Sequence, residues 1–331
     1  MNIIRTRFKE FFSLWRNYSF TLAFYNIVWW FCFYTHIPFC YKISTLAINR
    51  KTKWLNRYFN KGYKDIIEKY KQGTIVTKAE QHNIWVFWGQ GEKNMPLLVK
   101  ACYRQLKHYN NNVQLVTIDN VKDYIELPRI IYEKAHLGNI SWANFSDIVR
   151  NTLLAKYGGL WLDATVWVRG EIPLNNLSKL DFFSANGEVP ATSRSVRFWT
   201  SFEHNWSTWC MWSRNKNNKL FSFVSEMMIS IAVREKQWPD YVIQDYLIYY
   251  AYKNLPEVEG MLAQSAIIPC HYRNKLAGIM NDRFDEKIYK ELIDNDFVFK
   301  LSYKAEWKKL TNDKQKTFFG KILEGYLPHD A

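Results

Sequence analysis

One stretch limits what this chain can become. Ser146-Asp147-Ile148-Val149-Arg150 is followed by Lys156-Tyr157-Gly158-Gly159-Leu160-Trp161-Leu162-Asp163-Ala164-Thr165. The pattern predicts a helix over about 145–157, stopped by the glycine pair, because glycine enters left-handed backbone without steric cost. A short strand, Leu160-Trp161-Leu162, follows. A second runs from Thr165 to Val168, with Asp163 and Ala164 between them. Asp147 and Arg150 are three apart and therefore share a helix face. A carboxylate in so apolar a run is costly unless something pairs with it. A metal ion, a polar ligand at a strand end or a structural arginine would each do so.

The 331 residues are enough for one large domain with an appendage, and 48% hydrophobic against 23% charged residues describes a folded chain. Aromatic residues make up 18%, with 15 Trp, which suits sugar stacking and membrane interfaces as well as cores. The net charge of +14 is unevenly spread. The first 71 residues hold 13 Lys/Arg against Glu10, Asp65 and Glu68, so +10 of it lies there. Those basic residues flank apolar aromatic runs, which fits an anionic membrane surface better than a nucleic acid. No nucleic-acid partner is therefore expected. Five cysteines without a CxxC pattern speak against a disulfide framework or a zinc site and for a reducing cytoplasm.

Two regions are expected: 1–75, basic, aromatic and helical, and 76–331, a single further domain. In the first, the apolar run from Ser19 to Tyr34 is 16 residues long, below the roughly 20 that span a bilayer. His36-Ile37-Pro38 interrupts it. A monotopic or peripheral anchor at the cytoplasmic face of the plasma membrane and a helical pair packed on the core or on another subunit both fit. In the second region, His82–Trp88 reads as a strand, Pro96 opens a helix to about His108, and Val113–Ile118 is the next strand. Helices follow, then the glycine-stopped helix and its strand. Alternation of this kind predicts an α/β fold with parallel strands, and such folds bind ligands at the carboxyl ends of the strands. Trp88, Gly89 and Gln90 stand at one such end. Further on, 181–185, 266–269 and 297–301 read as strands, 220–234 and 240–252 as helices, and 186–197 as a polar loop.

Several chemistries are excluded. Gly89-Gln90-Gly91 is too short for a phosphate loop or a dinucleotide fingerprint. No GxSxG elbow and no HExxH pattern occurs. What remains is Asp147, Arg150 and Asp163 beside an aromatic strand end, a set that suits a nucleotide-sugar donor. The diphosphate needs a cation, and a carboxylate with an arginine serves sugar hydroxyls.

The run from Ile84 to Val168 resembles bacterial capsular polysaccharide synthesis proteins, within the broader group of glycosyltransferases that carry a sugar-binding DXD region. The resemblance rests on Ile84–Gly91, Pro96, Ser146–Arg150 and Tyr157–Thr165. It implies a GT-A type fold with a Rossmann-like mixed sheet flanked by helices, and a hexosyltransferase acting on a UDP-sugar with retention of configuration. A lipid-linked oligosaccharide acceptor and a divalent metal, Mn2+ or Mg2+, belong to the same expectation, and oligomerisation stays open. By match, Asp147 and Arg150 would hold the donor sugar, and Asp163 and Thr165 the metal and diphosphate. Trp85, Trp88, Gly89 and Gln90 would line the nucleotide side.

Two departures stand out. Thr165 occupies the place of the second Asp, and Phe299 precedes Lys300-Leu301 where the broader group often has a ligating His. Lys300 or Lys304 is a candidate to neutralise the diphosphate instead, against ordinary solvated charge. Asp245, next to Gln244, is a candidate on the acceptor side or over the donor sugar, against a packing role. Trp199, Trp206, Trp209 and Trp212 form either an acceptor platform or core. The functional alternative is a non-catalytic, membrane-associated assembly protein that keeps the fold.

Overall fold

The computed structural model describes residues 2–35, 40–73, 76–78, 82–186 and 206–325. The interruption expected at His36-Ile37-Pro38, nearly all of the 186–197 loop, and Trp199 lie outside them. Strands are β1 (Thr77–Lys78), β2 (Ile84–Phe87), β3 (Val113–Val116), β4 (Gly159–Leu162), β5 (Val166–Val168), β6 (Phe182–Ser184), β7 (Cys210–Ser213), β8 (Asn215–Lys216) and β9 (Val298–Lys300). The first eight helices are α1 (Asn2–Asn17), α2 (Phe20–Thr35), α3 (Cys40–Gly62), α4 (Lys64–Lys71), α5 (Leu97–Tyr109), α6 (Val121–Tyr124), α7 (Arg129–His136) and α8 (Trp142–Tyr157).

The main sheet has five strands in the order β3-β2-β4-β7-β6. β2 runs parallel to both β3 and β4, as the strand–helix alternation predicts. The fully parallel sheet does not extend further, because β7 lies antiparallel between β4 and β6. The result is a mixed α/β sheet. From β2 the chain crosses through α5 to β3 on one side, then returns to β4 on the other. The order thus reverses at β2, and a crevice opens beyond the ends of β2 and β4.

Both faces of the sheet are covered, so its strands carry continuous apolar sequence. Trp85, Phe87, Trp161, Phe182 and Met211 point to one side, into a core shared with α4, α8 and the helices Lys219–Arg234 and Ile243–Asn254. Ile84, Val86, Leu160, Leu162, Phe183 and Trp212 point to the other, against α5 and β5. β5 pairs antiparallel with β9, with Val166 opposite Lys300. Residues 266–267, expected as strand, form a 3-10 turn spanning Gln264–Ile267 instead. The side-chain oxygens of Gln264 and Ser265 at its start accept from the Asp181 and Ser184 backbone N–H groups, which uses the side chains rather than a ladder.

α8 begins one turn before its expected start. Ser141 caps it by accepting from the Asn144 backbone N–H at 3.1 Å. It stops at the glycine pair, with Gly158 at φ +70° and Gly159 at φ +92°. The second glycine is needed on two counts. Its backbone is left-handed, and a Cβ there would lie 2.3 Å from the Asn83 carbonyl oxygen, where β2 begins.

The amino-terminal helices are attached to the sheet domain through α3 and α4, whose Leu55, Phe59, Ile67 and Tyr70 are buried in its core. α2 and α3 are further tied by Lys51, which is 2% exposed, donates to Asn26 Oδ1 and pairs with the buried Asp240. α1 reaches the same segment through hydrogen bonds of Ser13 and Tyr18 to Gln237. No helix among the described residues is long and apolar enough to cross a membrane.

Gly159→Ala is expected to destabilise the protein by about 2–4 kcal/mol, combining left-handed strain with the clash against Asn83. Urea unfolding of the two proteins checks this, and equal midpoints would contradict it.

Candidate functional site

A pocket of about 770 Å³ lies outside the carboxyl ends of β2 and β4. Its floor is a network centred on Arg150. This guanidinium is 5% exposed and rises from α8 into the gap between helix and sheet. Its Nη1 donates to Asp147 Oδ1 at 2.7 Å and to Gln244 Oε1 at 2.7 Å. Its Nη2 donates to Asp163 Oδ1 at 3.0 Å. The Trp161 ring lies 5.0 Å from its centre, and the same indole donates to Asp163 Oδ1 at 2.9 Å. Trp161 and Asp163 are two apart on an extended chain, which puts both on one side.

Asp163 stands in the turn between β4 and β5, with its N–H bonded to the Trp209 carbonyl. Its second oxygen accepts from Lys300 Nζ at 2.6 Å, and the same ammonium donates to Thr165 Oγ1 at 3.0 Å. Lys300 is held on β9, opposite Val166, so the sheet pairing itself sets its position. Burial would raise the Asp163 carboxyl, but Lys300 and Arg150 outweigh it and hold the group well below the usual carboxylate range. Asp163 is therefore ionised throughout the physiological range. For Asp147 burial prevails: its carboxyl is raised, with Arg150 opposing and Asp163 adding to the shift. Arg150, which burial would weaken, is kept firmly cationic by the two carboxylates.

These contacts bear on the divalent ion that the family resemblance leads one to expect. Every oxygen of Asp163 and Thr165 already accepts from or meets an internal donor. An ammonium about 4 Å from a divalent ion repels it by about 8 kcal/mol at an effective dielectric near 20, which offsets the attraction of Asp163. No group of three His, Cys, Asp or Glu side chains gathers among the described residues. The donor set does not fit a divalent ion.

The walls are aromatic and polar. Trp88 follows β2 and meets Tyr303 edge to face, with ring centres 5.5 Å apart. Gly89 and Gln90 form the adjoining turn, and Ser302 and Lys304 line the same side. Trp142, Tyr241, Gln244 and Asp245 complete the lining. Asp245 accepts from the Trp206 indole at 2.9 Å. Burial raises its carboxyl to about 7, with Asp147 adding to the effect.

Of the residues singled out in the sequence, Trp88, Gly89, Gln90, Asp147, Arg150, Asp163, Thr165, Asp245, Lys300 and Lys304 all line this pocket. Trp85 does not. It is 1% exposed and sits between Tyr124 and Tyr157, with its indole donating to the Gly158 carbonyl. Lying two residues before the strand end, it falls short of the crevice. Among the later tryptophans, Trp212 is core, bonded to the Leu180 carbonyl, while Trp206 holds Asp245. Gln244, a candidate beside Asp245, also lines the pocket, but its bond to Arg150 was not legible, and Trp142, Tyr241, Ser302 and Tyr303 as walls were not identified in the sequence. Only for Trp161 was there a usable signal, its two-residue spacing from Asp163.

The sequence model of the family described as "Capsular polysaccharide synthesis protein" matches residues 39–322. No curated protein matches the chain. One solved structure, titled "PaToxG Glycosyltransferase", aligns with 15% identity and a TM-score of 0.38, covering 74% of this chain and 93% of that one. A likeness of that depth carries no argument about fold or function.

Asp245 holds its proton more tightly in the folded chain than at its ordinary value of 3.8, so ionising it costs stability. That cost is absent below pH 3.8, grows up to about pH 7 and is constant above. Asp245→Asn keeps an oxygen for Trp206 and carries no charge. Its stability gain over the wild type is expected to widen across that interval in denaturant titrations at stepped pH, and a gap independent of pH would contradict the assignment.

Proposed function

The chain belongs to the capsular polysaccharide synthesis protein family, and on that premise we propose that it is a glycosyltransferase that uses a nucleotide-sugar donor to extend a cell-surface glycan. The observation that carries the reading is the convergence of Asp147, Arg150, Asp163 and Lys300 on the floor of one aromatic-walled pocket at a strand-order reversal. A GT-A type arrangement of the sheet domain is part of this proposal, and so is its division from the helical region near residue 75.

The donor, a UDP-sugar in this reading, lies with its base against Trp88 and Tyr303 and its diphosphate toward Lys300 and Lys304. Its sugar ring sits over Asp147, whose side chain is 22% exposed and free to accept from sugar hydroxyls. Arg150 is too buried to act in the same way. It fixes the two carboxylates and thereby positions Asp147. In the reaction an acceptor hydroxyl oxygen bonds to the anomeric carbon as the bond from that carbon to the diphosphate breaks. The electron pair departs on the diphosphate, where cations stabilise it. With retention, the outcome we propose, the hydroxyl proton leaves with the departing phosphate on the same face. Asp245 supports the competing course: a carboxyl titrating near neutrality in the pocket lining suits a base for an inverting displacement. The anomeric configuration of the product distinguishes the two.

A lipid-linked acceptor at the cytoplasmic membrane face accords with the amino-terminal surface. Ile4, Phe8, Phe12 and Trp15 on α1, and Phe20, Phe24 and Phe31 on α2, are 43–58% exposed. Arg5, Lys9 and Arg16 adjoin them, the combination that seats a helix in an anionic interface.

Asp163→Asn is expected to lower sugar transfer or donor hydrolysis roughly a hundred- to a thousandfold, since it releases both Lys300 and Arg150. Full activity in this variant would remove the site assignment, and calorimetry showing that no nucleotide sugar binds would favour a non-catalytic assembly protein. Replacing Phe8, Phe12 and Trp15 together by Ser is expected to reduce co-sedimentation with phosphatidylglycerol vesicles while donor hydrolysis in solution is unchanged. Undiminished co-sedimentation would remove the membrane reading of α1.

A further inference from the structure

Lys300 occupies the space between Asp163 and Thr165, the pair that the family resemblance assigns to a metal ion. We propose that its ammonium, with Lys304 beside it, is the built-in cation of this pocket, so that the protein binds a diphosphate without any metal ion. The inference rests on the donor-pocket reading given above and deepens it.

Three observations support it. The first is the match of partners. An ammonium is satisfied by one carboxylate and one neutral oxygen, and Asp163 Oδ2 at 2.6 Å and Thr165 Oγ1 at 3.0 Å supply that pair. A hard divalent ion asks for more oxygens and more negative charge. Thr165, at the position where the resemblance places a second carboxylate, is thus explained as a partner for lysine. The second is rigidity. Lys300 is the last residue of β9, its N–H is bonded to the Arg273 carbonyl at 2.8 Å, and the next residue bonds back to the Thr165 carbonyl at 3.1 Å. Its backbone is held by these bonds and its ammonium by Asp163 and Thr165. The third is unused capacity. An ammonium has three N–H donors, and Asp163 and Thr165 take two. The side chain is 27% exposed toward the pocket, leaving a donor for a phosphate oxygen.

The charges agree. Asp163 balances Lys300 or Arg150, Asp147 balances the other, Asp245 is protonated below about pH 7, and Lys304 adds a positive charge to the wall. When a diphosphate enters, Lys300 supplies a fixed ammonium donor and Lys304 the surplus positive charge, without an ion to recruit.

Calorimetry with UDP and with inorganic pyrophosphate, each in EDTA and again with added MnCl2, tests this on the full chain. Electron paramagnetic resonance of the Mn2+ gives a second, independent readout. The wild type is expected to bind both probes in EDTA with no gain in affinity on adding Mn2+, and the spectrum of Mn2+ added to the protein without either probe is expected to stay that of the free ion. Lys300→Gln is expected to weaken both probes at least about tenfold, with no recovery on adding Mn2+, while Lys300→Arg retains most of the affinity. UDP binding that requires Mn2+ in the wild type overturns the inference and leaves the donor reading standing. Pyrophosphate binding in EDTA that depends on Lys300, with UDP no tighter, supports the inference and removes the nucleotide from the donor reading. Absence of binding by either probe under both conditions overturns both. The wild-type measurements decide these outcomes even where Lys300→Gln folds poorly, which its thermal melt reports.

Discussion

The buried guanidinium of Arg150 is the contact on which the site depends. It joins α8, through Asp147, to the end of β4, through Asp163, and to the helix Ile243–Asn254, through Gln244. Two elements adjacent in sequence and a third whose Gln244 lies 94 residues from Arg150 meet at one planar group whose fixed donor geometry admits little slack. Two carboxylates face the same space, and without the guanidinium they would repel one another in a half-buried setting. Removing one partner of such a buried network costs about 3–5 kcal/mol, since the charges left behind have no compensation. The pocket floor is therefore also a structural joint, and Lys300 completes it from β9, a strand that belongs to a separate two-stranded sheet.

A second joint connects the pocket to the amino-terminal helices. Lys51 on α3 is buried against Asp240, and Asp240 in turn accepts from the Val242 N–H at the start of the segment that carries Tyr241, Gln244 and Asp245. The helices that expose aromatic residues to their surroundings and the wall that carries Asp245 are thus linked by one ion pair.

Much of the site was legible because its members are close in sequence and follow regular spacings. Asp147 and Arg150 are one helical turn apart, and the glycine pair places Asp163 at a fixed remove on the strand that follows. Trp88 to Gln90 could be read as a strand end from the apolar run before them. Trp85 was misplaced because a strand end cannot be located to within two residues from composition, and a two-residue displacement separates crevice from core. The antiparallel β7 was illegible for a different reason. Strand direction depends on how the chain returns, and the return passes through residues with no periodic signal. Tyr241 and Tyr303 lie about 80 to 160 residues from the motif, and nothing local marks them; Gln244 could be singled out beside Asp245, but not its bond to Arg150.

What the sequence by itself determined was therefore the local chemistry: a helix with an acid and a base on one face, a glycine-stopped entry into a buried strand, one carboxylate at its end, and a basic aromatic amino terminus. These follow from backbone sterics and from the cost of burying charge, which act over a few residues. Which cation answers Asp163 was decided only by the tertiary structure. Arg150 lies 13 residues away and Lys300 137, and the second reaches it only because β9 pairs with β5 in one register. A shift of one residue in that pairing would turn Lys300 to the opposite face and leave the carboxylate open to a different partner.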